Sequence, residues 1–279
     1  KSMNTLKHAL SFTLVLVLAS FIYIYGLHTE TTHVEAQSAG PVASYNFDEG
    51  SGSTLTDNSG NGRNGTISGA TWTTGKTGSA LSFNGSAGYV SIGPTNTFDT
   101  LTQGTIMAWV KPSSGSDSYR SWFNADDGNC NQPFELAINA GKFEVWAGSG
   151  SCNASLYAIA PISNPTAWHH LTYTSDSTGN KLYIDGVLAT PTYQSGNASM
   201  PFFFSNAQAG TTQYHIGDTI NFSPETFNGL IDDFRIYDRV LSQAEIQAIS
   251  GSAPTFDFSL TNSGNQSVTQ GSSVTNTIT

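Results

Sequence analysis

Charge is scarce in this sequence, and positive charge is scarcest. Asp, Glu, Lys and Arg make up 11% of the 279 residues, and 10 basic residues face 20 acidic ones, for a formal net charge of -10. A phosphate-tracking surface needs clustered Lys and Arg, so this balance excludes nucleic acid as a partner. It suits either plain solubility or cation binding. Helical periodicity is also missing: no helix pattern longer than two turns occurs before Ser242. No Ser or Cys nucleophile stands partnered beside the conspicuous Trp168-His169-His170 run. Adjacent strand residues point to opposite faces, so those two imidazoles do not chelate one ion and read as structural, as does the lone His215. Gly, Ser, Thr and Asn are abundant instead, the composition of an extracellular, turn-rich β protein.

The N-terminus carries an export signal. Lys1 and Lys7 precede an apolar run from Ala9 to Tyr25, and Val34-Glu35-Ala36 offers a small-residue cleavage site. Residues 1–36 read as a signal peptide. The run approaches the ~18 residues of a spanning helix, so an uncleaved anchor is the competing reading and the one route to a membrane. Either way the chain after Gln37 is expected to be secreted or displayed at the cell surface.

Short alternating segments follow, each ended by Gly, Asn or Pro. Strands are expected at Pro41–Phe47, Thr66–Trp72, Ala80–Phe83, Tyr89–Ile92, Thr105–Lys111, Phe134–Asn139, Lys142–Trp146, His169–Thr174, Lys181–Ile184 and Tyr214–Ile216. This spacing argues an all-β fold, a sandwich or jelly roll, over residues 40–251. Residues 252–255 read as a linker. Residues 256–279 read as the start of a further β domain or as a tail.

The stretch from Phe227 to Ile246 organises the rest. Its first half reads as a strand with Leu230, Phe234 and Ile236 on one face and Ile231, Arg235 and Tyr237 on the other. Asp232 and Asp233 interrupt that apolar pattern and need hydrogen bonds, a cation or a metal. Its second half is a short C-terminal helix: Ser242 and Glu245 form a capping box, Leu241 and Ile246 a hydrophobic staple, and Gly251 a stop.

Seven pieces in order carry a family resemblance. They are Tyr45–Gly52, Asp57–Gly62, Gly75–Gly85 with Tyr89-Val90, Thr105–Pro112, Trp168–Leu171, Leu182–Gly186 and Gly229–Ile246. Together they resemble the laminin-G-like jelly rolls of the concanavalin A-like lectin/glucanase superfamily, in the bacterial form. The resemblance implies two antiparallel sheets packed face to face, first and last strands close together, and a binding or adhesion module attached to other domains. Glucanases of that superfamily carry an alternating E-x-D-x-E run on one strand. This chain has none, and the adjacent Asp232 and Asp233 face opposite ways, which argues against hydrolysis.

Three sets of residues are singled out. Asp57, Ser59, Asn61 and Gly62 match the first half of a calcium loop, whereas Ser68 stands where its closing Glu would be. A structural calcium ion would draw its remaining oxygens from Asp48, Asp232 and Asp233, with an Asx-turn loop as the alternative. Cys130 and Cys152 are the only cysteines. A hairpin turn centred on Gly141 would put them opposite each other as a disulfide, with two free thiols as the alternative. Polar-aromatic insertions at Ser113–Asn131 and Pro191–Gln213 offer Tyr119, Trp122, Asp126, Asp127, Tyr193 and Phe203 as a sugar-binding surface, or else as core. Trp72, Trp109 and Trp168 read as core. The reading is of an exported, non-catalytic module for carbohydrate or a surface glycoprotein. The alternatives are a structural or adhesive spacer in a larger surface protein and, more remotely, a glycoside hydrolase.

Overall fold

The computed structural model describes residues 40–127, 133–148, 153–206, 212–220 and 225–252. The elements in chain order are β1 (Ala43–Tyr45), β2 (Thr54–Leu55), β3 (Gly65–Ser68), β4 (Thr71–Thr74), β5 (Ser79–Asn84), β6 (Tyr89–Ile92), β7 (Gly104–Pro112), β8 (Arg120–Asp126) and β9 (Phe134–Asn139). They continue with β10 (Lys142–Gly148), β11 (Ala154–Pro161), β12 (His169–Asp176), β13 (Gly179–Ile184), β14 (Val187–Leu188), β15 (Thr192–Ser195), β16 (Gln213–Ile216), β17 (Asn228–Tyr237) and α1 (Gln243–Ser250). One sheet runs β14-β13-β12-β7-β17-β5-β4, with β1 also on β17. The other runs β15-β11-β10-β9-β8-β16-β6-β3-β2. All the strand pairings are antiparallel, and the expected two-sheet sandwich is present.

Period-2 alternation decides what each strand buries. Phe123 and Ala125 on β8, Phe134, Leu136 and Ile138 on β9, Phe143 and Val145 on β10, and Tyr214 and Ile216 on β16 enter the core between the sheets. The β9–β10 hairpin closes on Ala140-Gly141, both at positive φ (47° and 72°), the geometry of a tight primed turn. Asn139 therefore opposes Lys142. The turn is centred between Ala140 and Gly141 rather than on Gly141, which moves the expected register by one residue. Cys130 and Cys152 themselves lie outside the described residues, as do the N-terminal segment and residues 253–279. Among the described residues no helix is long and apolar enough to cross a membrane.

Two expectations about strands are corrected. Thr66–Trp72 is not one strand: the chain turns at Gly69 (φ 69°), and β3 and β4 enter different sheets. On β17 the register with β7 slips between Asp232 and Arg235, and Asp233 sits at φ 49°. This bulge reverses the alternation. Ile231, Phe234 and Ile236 all join the core, and Leu230 does not share their face. Beyond the bulge, Tyr237 packs with Met107, Tyr183, Leu241 and Ile246 in a separate cluster beneath α1. Ser242 accepts from the Glu245 amide, Glu245 caps back onto Ser242, and Gly251 ends α1 in the left-handed region, all as expected. The first strand lies against the last, with Ala43 opposite Ile236, which agrees with the resemblance.

Candidate functional site

Because alternate residues of the nine-stranded sheet feed the core, the others line its outer face. Cross-strand register joins six of them into one transverse row. Tyr157 opposes Trp146, Trp146 opposes Glu135, Glu135 opposes Asn124, Asn124 opposes His215, and His215 opposes Ser91. Tyr89, two residues before Ser91, stacks on His215 with ring centroids 4.4 Å apart and planes 14° apart. Glu144 lies beside Trp146 on the same face of β10 and accepts from Tyr157 Oη (2.9 Å) and Asn139 Nδ2 (3.3 Å). Trp146, Tyr157 and Tyr89 remain half-buried.

The middle of this row is enclosed although it faces away from the core. Asn124 is fully buried and Glu135 is 3% exposed. Two described residues between β16 and β17 bond to β8: the Ile220 amide donates to Asn124 Oδ1 (3.3 Å), and the Ser121 amide donates to the Glu225 carbonyl (2.9 Å). Asn124 Nδ2 donates to Glu135 Oε1 (3.0 Å). Burial, reinforced by the Glu225 and Asp126 carboxylates, lifts Glu135 to about 8. Burial also raises Glu144, Asp218 and Glu225, and lowers His215 to about 4, so its imidazole is neutral. His215 Nδ1 is buried without a hydrogen-bond partner. The Tyr119 hydroxyl lies close to Glu135 but completes no hydrogen bond of normal geometry. Chemically this face offers aromatic surfaces for stacking, carboxyls, an amide and a buried imidazole nitrogen without a partner.

The sequence-derived recognition set divides. Asp126 and Tyr119 adjoin the row, and Asp127 is half-buried beside them, its amide donating to Asp126 Oδ1 (2.6 Å). Trp122 and Phe203 are fully buried in the core, so neither presents a stacking face. A register slip on β8 between Ser121 and Phe123 turns Trp122 inward. Tyr193 is half-buried against the core and donates to Asn180 Oδ1 (3.0 Å). Conversely Trp109 and Trp168 are half-buried rather than core, while Trp72 is half-buried and packs against the core. Trp109 lies on the outer side of the eight-stranded sheet, under the Lys76 ammonium at 4.3 Å and against the edge of His170. His169 bonds Asp185 through Nδ1 (2.8 Å) and the Asn164 carbonyl through Nε2 (3.0 Å), a structural pin. Sequence reasoning missed Glu135, Glu144, Asn124, Trp146, Tyr157 and Tyr89. The available signal was the alternation of Glu135 with core residues on β9 and of Glu144 and Trp146 on β10.

The residues expected to hold calcium do not fit that ion. Asp57 Oδ1 accepts from the amides of Ser44 (3.1 Å) and Ser59 (2.9 Å), and Oδ2 from that of Arg63 (2.9 Å). Burial alone would raise its carboxyl, but the hydrogen bonds from Ser59, Arg63 and Ser44 outweigh it and hold it below the usual range. Such amide donors favour an anion and repel a cation. Ser59 Oγ and Asn61 Nδ2 both donate to the Val42 carbonyl. Asp232 is 1% exposed, and its Oδ2 accepts from the Lys76 and Thr77 amides (2.9 and 3.1 Å). Asp233 is held by both ends of the Arg235 fork (2.9 and 3.0 Å). Asp48 is exposed and accepts from the Ser79 amide (3.3 Å). Among the described residues no three His, Cys, Asp or Glu side chains gather as a metal site requires.

A laminin G family model described as the concanavalin A-like lectin/glucanases superfamily matches residues 84–247, more than half of the chain. Solved structures share the fold. Domain 4 of AbnA, a GH43 extracellular arabinanase from Geobacillus stearothermophilus in complex with arabinotriose, matches at TM-score 0.56 and 23% identity, covering 76% of this chain and 98% of that one. Trypanosoma rangeli sialidase in complex with the inhibitor DANA matches at 0.54 and 17%, over 76% of this chain and 33% of that one. The receptor binding domain of botulinum neurotoxin mosaic serotype C/D matches at 0.57 and 17%, over 76% and 51%. The chain thus spans only a part of the last two. No curated protein sequence matches significantly.

Proposed function

This chain belongs to the concanavalin A-like lectin/glucanase superfamily, and from that premise we propose that it is an exported carbohydrate-binding module whose ligand lies along the outer face of the nine-stranded sheet. The observation that carries this reading is the transverse row from Tyr157 and Trp146 through Glu135 and Asn124 to His215. Sugar rings need flat apolar faces to stack on and nearby acceptors and donors for their hydroxyls. The row supplies both on one surface, on rigid strands. The arabinotriose in complex with AbnA domain 4 supports a glycan as the ligand class.

The module is read as non-catalytic. Asp232 and Asp233 are engaged by backbone amides and by Arg235, and neither belongs to the row on the nine-stranded sheet. Isothermal titration against a panel of neutral and charged oligosaccharides tests the reading. We expect saturable binding, weakened about tenfold or more by Trp146→Ala, since loss of one stacked ring costs of the order of 1.4 kcal/mol. Unaltered affinity in that variant would place the ligand elsewhere. Turnover of any oligosaccharide in the panel would overturn the non-catalytic assignment.

A further inference from the structure

A cleft of about 350 Å³ lies beside β14, the end strand of its sheet, and is lined by Pro161, Ser163, His169, Asp185, Val187 and Leu188. Two turns border it: residues 162–168 between β11 and β12, and Asp185-Gly186 between β13 and β14. Each turn holds a non-glycine residue in the left-handed region, Asn164 and Asp185, both at φ 52°. Asn and Asp tolerate that conformation. His169 joins the two turns, with Nδ1 2.8 Å from Asp185 Oδ2 and Nε2 3.0 Å from the Asn164 carbonyl oxygen. A carbonyl oxygen only accepts. The Asp185 carboxylate also only accepts, and its Oδ1 takes the His170 amide (2.8 Å). Both ring nitrogens thus face acceptors, so both bonds exist together only in the imidazolium. A neutral ring has a single N–H. Held on Nδ1, it keeps the Asp185 bond and turns the Nε2 lone pair onto the Asn164 carbonyl. Held on Nε2, it would set a lone pair against a carboxylate, which is worse.

We infer that His169 is a proton-operated latch on this cleft. Protonated, it holds the 162–168 turn to the β13–β14 turn; neutral, it releases the 162–168 turn and stays bonded to Asp185. The inference is independent of the carbohydrate-binding reading. The two turns differ in what else anchors them. At the β13–β14 turn the Asp185 amide donates to the His170 carbonyl (2.8 Å), and Gln243 Nε2 of α1 donates to the Gly186 carbonyl (3.2 Å). The 162–168 turn is tied at its start, where the Ile162 amide donates to the Gly141 carbonyl (3.1 Å). Its Ala167 amide donates to the Asn164 carbonyl within the turn itself (2.9 Å). Loss of the Nε2 bond therefore lets residues 163–167 pivot about Ile162 as a unit.

The charged groups around the ring agree with this direction. Asp185 faces it, and its bond to Nδ1, opposed by burial and joined by the Asn164 carbonyl, holds His169 above the ordinary histidine value. Burial would raise Asp185, but the bonds from His169 and the His170 amide keep it below the usual carboxylate range. The 162–168 turn and β14 bring no titratable side chain. On β7 the residue opposite His169 is Val110, between Trp109 and Lys111. On β12 itself burial lowers His170 to about 4, with Arg235 of β17 acting in the same sense, so that ring is neutral. The latch is thus fully closed below about pH 6.5 and opens as pH rises through the higher folded value of His169.

The test is NMR of the full chain from pH 5 to 9, reading the histidine ring nitrogens, assigned through the backbone, and the exchange of backbone amides corrected for intrinsic rate. We expect both nitrogens of His169 to carry protons at pH 6, and Nδ1 alone to carry one at the alkaline end. Protection of the amides in residues 162–167 should fall about tenfold as the ring loses its proton, the worth of one hydrogen bond from a charged donor. The Asp185 and Ala189 amides should keep theirs. Asp185→Asn leaves an acceptor for the His170 amide and removes the charge. It should bring the His169 midpoint down to about 6.5 or below, and the loss of protection should move with it. A neutral His169 at pH 6, a proton left on Nε2 rather than Nδ1, or protection that does not follow the ring overturns the latch. Equal loosening of both turns overturns it as well. Ring and amides are read on the unmodified protein, so the test does not depend on the variant folding.

Discussion

Glu135 illustrates how one buried carboxyl ties stability to pH. Its folded carboxyl, at about 8, lies above the ordinary Glu value because it is buried. The folded state therefore binds the proton more tightly than the unfolded chain. Between about pH 4.5 and 8 the unfolded state ionises and the folded state does not, so this group's contribution falls as pH rises. The slope is at most ~1.4 kcal/mol per pH unit for one proton. Glu135→Gln should flatten it, and urea midpoints at pH 5, 7 and 8 should show the variant gaining on the parent toward pH 8. A variant that loses stability equally at every pH would show that the Asn124 hydrogen bond matters more than the charge. A protein relieved of such a group and stabilised by the change is the usual sign of a residue kept for function.

At the scale of single elements, α1 is a small helix with both ends specified. Ser242 and Glu245 satisfy each other's backbone amides, Arg239 Nη2 reaches Glu245 Oε1 (2.8 Å), and Leu241 and Ile246 anchor the helix over Met107 and Tyr237. Ser242→Ala should cost ~1 kcal/mol, and Ser242→Gly only a few tenths, by chemical denaturation. Equal losses would mean that the hydroxyl is not what holds this end. This helix was legible in the sequence because caps are local signals. The strand alternation of β9, β10 and β12 was legible for the same reason. Trp122 was misread because β8 breaks its own alternation at a register slip, which carries that ring into the core. The candidate site was not legible as a site. Its row draws on β11, β10, β9, β8, β16 and β6, and only the strand order makes their residues neighbours. Sequence patterns say which face a residue takes, but not what lies beside it.

Across the whole molecule the acidic residues first suspected of gathering around calcium have separate tasks. Asp57 ties β1 to the loop before β3 through the Ser44 and Arg63 amides. Asp232 ties the loop after β4 to β17 through the Lys76 and Thr77 amides. Beginning and end of the domain are thus joined by hydrogen bonds and by the β1–β17 ladder. Melting curves with excess calcium and with chelator should superimpose. An ion bound only by the folded state, at a hundredfold excess over its dissociation constant, would add ~2.7 kcal/mol and shift the midpoint by several degrees. Such a shift, lost in Asp57→Ala, would restore the cation.

The bulge at Asp233 has a consequence for how the strand tolerates change. Up to Asp232 and after Asp233, β17 is read in two different frames, like a message with one letter inserted. The first frame seats Ile231 in the core, and the second seats Phe234 and Ile236 there while it sends Tyr237 out to α1. Deleting Asp233 would give an unbroken ladder against β7 and leave Phe234 and Ile236 in the core, whereas a regular strand that kept Asp233 would turn both outward and bring Tyr237 in. With Asp233 present, the bulge is what keeps both packing layers in register with one chain.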